Sequence, residues 1–183
     1  MSGWKDKRKI MQRYNLTADM YEERYAQEQK AKYSAALENV DVAGGIILDV
    51  GCGSGLFFKE VTGQANMVVG VDISRKLLLK AKEQAMGFGK VFVLQADADH
   101  LPFRAAFFDA VFSFTLLQNM PKPPETLDEF KRVTILEGKV VVTGLKKAFS
   151  LNAFMDILEG SGLRLVSFVD REDLNCYVAE LTK

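Results

Sequence analysis

Leu48-Asp49-Val50-Gly51-Cys52-Gly53-Ser54-Gly55 sets an acid and three glycines at every second position, directly after the apolar run Ile46-Ile47-Leu48. An apolar run, a glycine-rich turn and then Leu56-Phe57-Phe58 read as strand, tight loop and helix, the helix over 55–63. Glycine is required where the backbone turns with φ > 0 and where a ligand must approach the main chain. The N-terminus of the following helix would offer unpaired N–H groups and a positive dipole end. A dinucleotide loop of the form G-x-G-x-x-G needs a third glycine where this chain has Leu56.

Two further apolar runs end in acids. Val68-Val69-Gly70-Val71-Asp72 closes 23 positions beyond Asp49, the length of one strand–helix–strand step. Val91-Phe92-Val93-Leu94-Gln95-Ala96-Asp97-Ala98 is the third, followed by Leu101-Pro102-Phe103 and by Phe108-Asp109-Ala110-Val111-Phe112-Ser113. A carboxylate at a strand end is placed to accept hydrogen bonds from ribose hydroxyls.

The remaining chain alternates in the same way. Residues 7–39 read as helical, with Met11, Tyr14, Ala18, Tyr21 and Tyr25 on one face, and Asn15 or Thr17 capping a second helix. Strand 67–72 leads to helix 75–86, capped by Ser74 and stopped by Gly87. Strands 90–96 and 109–114 follow, and Pro123-Pro124 open a helix whose acids come early and bases late. Gly138 precedes strand 139–145, and Ser150 caps helix 151–159. Leu163–Val169 and Cys176–Leu181, parted by Asp170-Arg171-Glu172-Asp173, read as a closing hairpin, so one of these strands is antiparallel.

Taken together, D-x-G-x-G-x-G at Asp49–Gly55, Asp72, Asp97, Leu101-Pro102-Phe103 and Phe108–Ser113 resemble the motifs of the class I S-adenosylmethionine-dependent methyltransferases, of the small type 11-like kind. The resemblance spans roughly residues 40–182 with its motifs in family order. It implies a three-layer α/β/α Rossmann-like sandwich whose seven-stranded, mostly parallel sheet runs 3-2-1-4-5-7-6 with one antiparallel strand. Residues 1–39 would be a helical segment covering the site, and 40–183 the methyltransferase domain. It further implies roles for single residues. Gly51 and Gly53 let the backbone meet the methionine moiety of S-adenosylmethionine, whose ammonium Asp49 orients. Asp72 binds the ribose and Ile73 covers the adenine. Asp97 and the Ala98 N–H read the adenine edge, and the backbone at Phe114 lies beneath the sulfur.

The acceptor side carries fewer signs. Where other methyltransferases have N/D-P-P-Y or a histidine pair, this chain has Ser113-Phe114-Thr115-Leu116-Leu117-Gln118, and neither cysteine is placed as a nucleophile. Gln118 and Asn119 remain to orient an acceptor. Tyr14 and Tyr21, two turns apart, are candidates for the acceptor pocket. Members of the resembled family that act on small metabolites usually carry an added lid, whereas here only helix 123–134 parts strands four and five and only helix 151–159 parts five and six, so the resemblance implies an open pocket and a macromolecular acceptor such as tRNA or a translation-related protein. The edge strand 90–96 is apolar and lacks an internal charge or proline to protect it. Some methyltransferases of the resembled kind bind a small activator protein along this edge, so the resemblance implies such a partner here.

Composition narrows the class. With 183 residues, 48% hydrophobic and 26% charged, one domain with a sizeable core is expected. No apolar stretch approaches the roughly 20 residues that span a bilayer, and Met1–Lys9 lacks a signal-peptide core. Cys52 and Cys176 suit a reducing, cytoplasmic setting, and with His100 the only histidine no metal site is expected. The net charge of zero conceals a basic arm: Lys5, Lys7, Arg8, Lys9 and Arg13 against Asp6 give +4 within residues 1–13, leaving −4 elsewhere. Such an arm reads as a solvated terminus or as a contact for nucleic acid. Three functions are consistent with this reading: an active methyltransferase, a non-catalytic adenosylmethionine-binding or activator subunit, and an NAD-dependent oxidoreductase. Leu56 disfavours the last.

Overall fold

The apolar runs become strands that lie side by side, because parallel strands buried on both faces need continuous Val, Ile and Leu. In chain order they are β1 (Ile46–Val50), β2 (Met67–Asp72), β3 (Val91–Gln95), β4 (Phe108–Ser113), β5 (Thr134–Leu145), β6 (Arg164–Val169) and β7 (Cys176–Thr182). The molecule is known from a computed structural model describing residues 2–17 and 21–183, with side chains described for 3–16 and 29–183. The seven strands form one sheet in the order β3-β2-β1-β4-β5-β7-β6. β7 alone runs opposite to the other six strands. This is the order and the single reversal that the sequence implied.

Alternation along each strand assigns the two faces. Ile47, Val68, Ala110, Phe112, Val141 and Val178 point to one side, where α2 (Tyr21–Leu37), α3 (Phe58–Val61) and α4 (Arg75–Ala85) cover them. Leu48, Val69, Val111, Val140 and Val142 point to the other, beneath α5 (Pro123–Val133) and α6 (Leu151–Gly160). The result is a three-layer α/β/α sandwich. Helix α1 (Ser2–Thr17) packs against α4 at the end of the sheet.

Three local readings are corrected. The helix expected over 55–63 is a single turn, α3. Gly55, at φ 86°, spends the chain on a turn, and Phe58 then fills the space above Gly70, where an added Cβ would lie 2.5 Å from its ring. So short a helix has no dipole to offer a ligand. Strand β5 starts at Thr134, directly after α5, and Gly138 lies within it. Its register against β4 shifts between Phe108 and Ala110, with Glu137 at φ 61°. Asn15 lies inside α1 and caps no second helix. Its Oδ1 accepts from Ser74 Oγ at 2.7 Å and from Lys76 N at 3.3 Å, fastening α1 to the start of α4.

Within the N-terminal segment the described residues form α1 and α2, and the two helices differ in kind. The end of α2 belongs to the core. Tyr33, Ala35 and Ala36 are buried, and the Tyr33 ring packs on Phe57 at 5.1 Å and Phe114 at 4.7 Å. On the outer strand β3, Val91 and Val93 pack inward while Phe92 and Leu94 are 56% and 43% exposed. Among the described residues no helix is long and apolar enough to cross a membrane.

Candidate functional site

Strand β1 pairs with β2 on one side and β4 on the other. The chain therefore reverses its direction of travel across the sheet at β1, and a crevice opens beyond the carboxyl ends of these strands, the position at which α/β sheets bind ligands. Asp49, Asp72 and Asp97 stand at or just beyond the ends of β1, β2 and β3. A cleft of about 680 Å³ of empty space runs there, with Gly51, Gly53, Asp72, Ile73, Asp97, Ala98 and Phe114 on its floor and walls. A smaller chamber of about 310 Å³ is lined by Asp49, Gly51, Gly53 and Phe114 and also by Gln29, Tyr33 and Ser54. Thus all eight residues expected at the cofactor border one of two spaces that share Gly51, Gly53 and Phe114.

The glycine loop is tied down from behind. Gly51 N and Cys52 N donate to Val71 O at 2.8 and 3.0 Å, and Gly53 N donates to Asp72 Oδ2 at 3.0 Å. Gly51 takes φ 77°, the conformation that demands glycine, and an added Cβ would also press on the Leu116 side chain at 3.3 Å. Asp72 Oδ1 accepts from Ser74 N at 2.7 Å. Burial raises the Asp72 carboxyl, against the pull of the Ser74, Gly53 and Ile73 N–H groups. A carboxylate has about four lone-pair sites, so its two protein bonds leave capacity for hydroxyl donors.

Asp49 is the more perturbed acid. It is 2% exposed, and burial together with the Asp72 carboxylate pushes its pKa up to about 8. Its Oδ2 has no hydrogen-bond partner among the described residues, nor do Gln29 Oε1 and Ser54 Oγ, which line the same chamber. Three buried oxygens without donors call for a donor-rich cation such as an ammonium group. Burial and the Asp49 and Asp72 carboxylates keep the Cys52 thiol far above its ordinary range, so it is no nucleophile.

Above the cleft lies α1, whose Lys7, Ile10 and Tyr14 face inward. Tyr14 OH accepts from Asn119 Nδ2 at 3.1 Å, and Asn119 Oδ1 accepts from Arg13 Nη2 at 3.1 Å. Gln118 does not line the cleft. Its amide turns back to donate to Thr115 O, and Asn119 is the side chain that faces Tyr14. The side chain of Tyr21 lies outside the described residues. Thr115, next to Phe114, holds φ 59°, a strained setting for a β-branched residue, costing on the order of 1–3 kcal/mol. It is fixed by Thr143 Oγ1, which accepts from Thr115 N at 2.8 Å.

Sequence reasoning missed Lys7, Gln29 and Ser54. Lys7 sat in a run that read as solvated, yet it is buried, with Nζ 2.6 Å from Asp97 Oδ1. The available signal was its spacing, since Lys7, Met11 and Tyr14 follow the i, i+4, i+7 pattern of one helix face. Lys5, Arg8, Lys9 and Arg13 do remain exposed.

Residues 48–142, from β1 into β5, match the family described as "Methyltransferase domain". The chain belongs to this family. It is 35% identical over 107 residues to a phosphatidylethanolamine N-methyltransferase of Cereibacter sphaeroides, covering 57% of this chain and 52% of that protein. It is 35% identical over 104 residues to a demethylmenaquinone methyltransferase of Oceanobacillus iheyensis, covering 54% and 44%. The chain therefore spans about half the length of these relatives. A SAM-dependent methyltransferase structure from Aquifex aeolicus superposes with a TM-score of 0.80 at 18% identity, covering 91% of this chain and 97% of that one. The cofactor of the methyltransferase domain is S-adenosylmethionine. The site fits it, since the chamber of unpartnered oxygens suits the ammonium and the half-satisfied Asp72 suits a diol. Membership also removes the grounds for an NAD-dependent oxidoreductase.

Proposed function

We propose that this methyltransferase domain transfers a methyl group from S-adenosylmethionine to a small acceptor that enters between α1 and the segment Thr115–Met120. The observation that carries the reading is the pair of spaces that share Gly51, Gly53 and Phe114 as lining. One is a polar chamber with three donor-hungry oxygens around Asp49, and the other is a wider, mainly apolar cleft that ends at Tyr14 and Asn119. The sulfonium supplies a methyl group that is already activated, so the protein's task is orientation and exclusion of water.

In this reading Asp49, with Gln29 and Ser54, holds the ammonium. Asp72, itself fixed by Gly53 and Ser74, takes the ribose hydroxyls, and Ile73 covers the base beside Asp97 and Ala98. Phe114 borders both spaces, so the backbone around it lies where the methyl must cross. Strain at Thr115 sets the direction of that backbone. Tyr14 and Asn119 are the polar groups left to orient an acceptor, and Ile10, Leu116 and Met120 give its body an apolar wall.

A sequence-based expectation of an open site favoured a macromolecular acceptor. Two observations support a small one instead: α1 lies over the cleft with three side chains turned in, and the two relatives above are named for a phospholipid and a quinone precursor. A protein partner on β3 is a separate part of the proposal, supported by the exposed Phe92 and Leu94. Calorimetric titration with S-adenosylmethionine and S-adenosylhomocysteine tests the reading. Binding at about micromolar affinity, with thermal stabilisation by mass action, is expected. Stabilisation by NAD alone would overturn it.

A further inference from the structure

Lysine is seldom buried unless paired, and Lys7 is 8% exposed at the edge of the cleft. Its ammonium has three N–H donors, and three carboxylate oxygens receive them: Asp97 Oδ1 at 2.6 Å, Asp97 Oδ2 at 2.9 Å, and Asp99 Oδ2. Asp99 is anchored in turn, because its Oδ1 accepts from Thr126 Oγ1 of α5 at 2.5 Å. Asp99 N donates back to Asp97 Oδ1 at 3.1 Å. The carboxylate of Asp97 is thus gripped from α1 and from its own loop, and cannot turn without breaking these bonds.

Beside it, the Ala98 N–H has no acceptor among the described residues. The cleft therefore presents a fixed acceptor next to an unspent donor. That pattern complements a purine edge carrying an amino donor next to an unprotonated ring nitrogen. It opposes the edge of a 6-oxopurine, which would set a carbonyl oxygen against the carboxylate and an N–H against the Ala98 N–H.

We propose that Lys7 is a positioning residue for base recognition, fixing Asp97 as the acceptor that makes the site select a 6-amino over a 6-oxo purine. The proposal rests on the reading that the adenine of S-adenosylmethionine lies at Asp97 and Ala98. Lys7 acts through Asp97, and its contribution is the mismatch imposed on the wrong base. A carboxylate free to swing away would relax that mismatch. Sites built to hydrogen-bond a substrate group reject analogues lacking it because buried polar groups are left unpaired.

The test is titration of the full chain and its Lys7→Met, Lys7→Arg and Asp97→Asn variants with S-adenosylhomocysteine and with its 6-oxo counterpart, S-inosylhomocysteine. The unaltered protein should prefer the amino compound by about 100-fold or more. Lys7→Met keeps the stem and removes the charge, and should bring the ratio below about 10-fold, chiefly by tightening the oxo compound as its mismatch is relieved. Lys7→Arg should retain much of the preference, and Asp97→Asn should lower or reverse it. Equal weakening of both compounds in Lys7→Met would overturn the proposal, leaving Lys7 as a fastener for α1. Tighter binding of both would overturn it too, since Lys7 would then be an obstruction. Failure of the unaltered protein to bind S-adenosylhomocysteine at all would defeat the cofactor placement itself, a distinct result.

Discussion

Asp49 and Asp72 lie at the carboxyl ends of neighbouring parallel strands, Asp49 one residue before the end of β1 and Asp72 closing β2, and the carboxylate of Asp72 helps hold Asp49 at a pKa of about 8, second only to burial. An unfolded chain gives up this proton near 3.8, so between those values the folded state holds a proton the unfolded state has lost. Stability of the cofactor-free protein should therefore fall as pH rises from about 4 through about 8. Cofactor binding should show the opposite trend, because the ammonium prefers the ionised carboxylate. Calorimetry of S-adenosylhomocysteine from pH 6 to 8.5, in buffers of different ionisation enthalpy, should show rising affinity and proton release. A pH-independent affinity would remove Asp49 from the ammonium site.

Asp49→Asn should separate stability from function. It abolishes the buried charge, so the free protein should melt higher than the unaltered chain at pH 8.5. Loss of a charge-assisted bond should weaken the cofactor by about 1.5–3 kcal/mol. A simultaneous loss of both would mean that Asp49 supports the sheet rather than the ligand.

Asp72 has two tasks, as its carboxylate accepts from Gly53 N and Ser74 N. Asp72→Ala should lower cofactor affinity by roughly 2–4 kcal/mol and, unlike a purely ligand-facing acid, cost about 1–3 kcal/mol of stability from two freed backbone donors. Denaturant titration beside calorimetry reads both values, and unchanged stability would show that the loop holds its shape without this acid.

The two N-terminal helices should respond differently to truncation. Removing residues 1–17 takes away Lys7, Ile10 and Tyr14 but little of the core, so the sheet should fold while cofactor retention drops. Removing 1–39 also takes Tyr33, Ala35 and Ala36, all buried against the sheet, and should leave a poorly folded chain. Tyr33→Ala alone should cost about 3 kcal/mol or more. Circular dichroism melts of the two truncations check this, and equal melting temperatures would mean that α2 is dispensable.

The sheet was legible because each strand is an apolar run closed by a turn signal, and the acids at three strand ends marked the cleft. Local pattern fails where distant residues decide. Gly138 looks like a strand boundary, but an added Cβ there would lie 2.9 Å from Asp109 O and 2.6 Å from Thr134 Cγ2. It is a close approach inside β5, and the partner strand cannot be read from neighbouring residues. Lys7 meets Asp97 across 90 positions, so in the sequence it is one cation in a basic run. Asn15 carries a capping residue's chemistry, yet it serves the start of α4, 59 positions beyond. Gln118 and Asn119 are equivalent by type, and only the turn that follows Thr115 decides which of them faces Tyr14.

Transfer itself is the most direct measurement. The protein would be incubated with methyl-tritiated S-adenosylmethionine and size-fractionated cell extract, with S-adenosylhomocysteine followed in parallel. Label should enter the low-mass fraction, with matching release of S-adenosylhomocysteine, and Tyr14→Phe should reduce that transfer more than it reduces cofactor affinity. Tight cofactor binding with no label in any fraction would contradict methyl transfer and leave a binding subunit in its place.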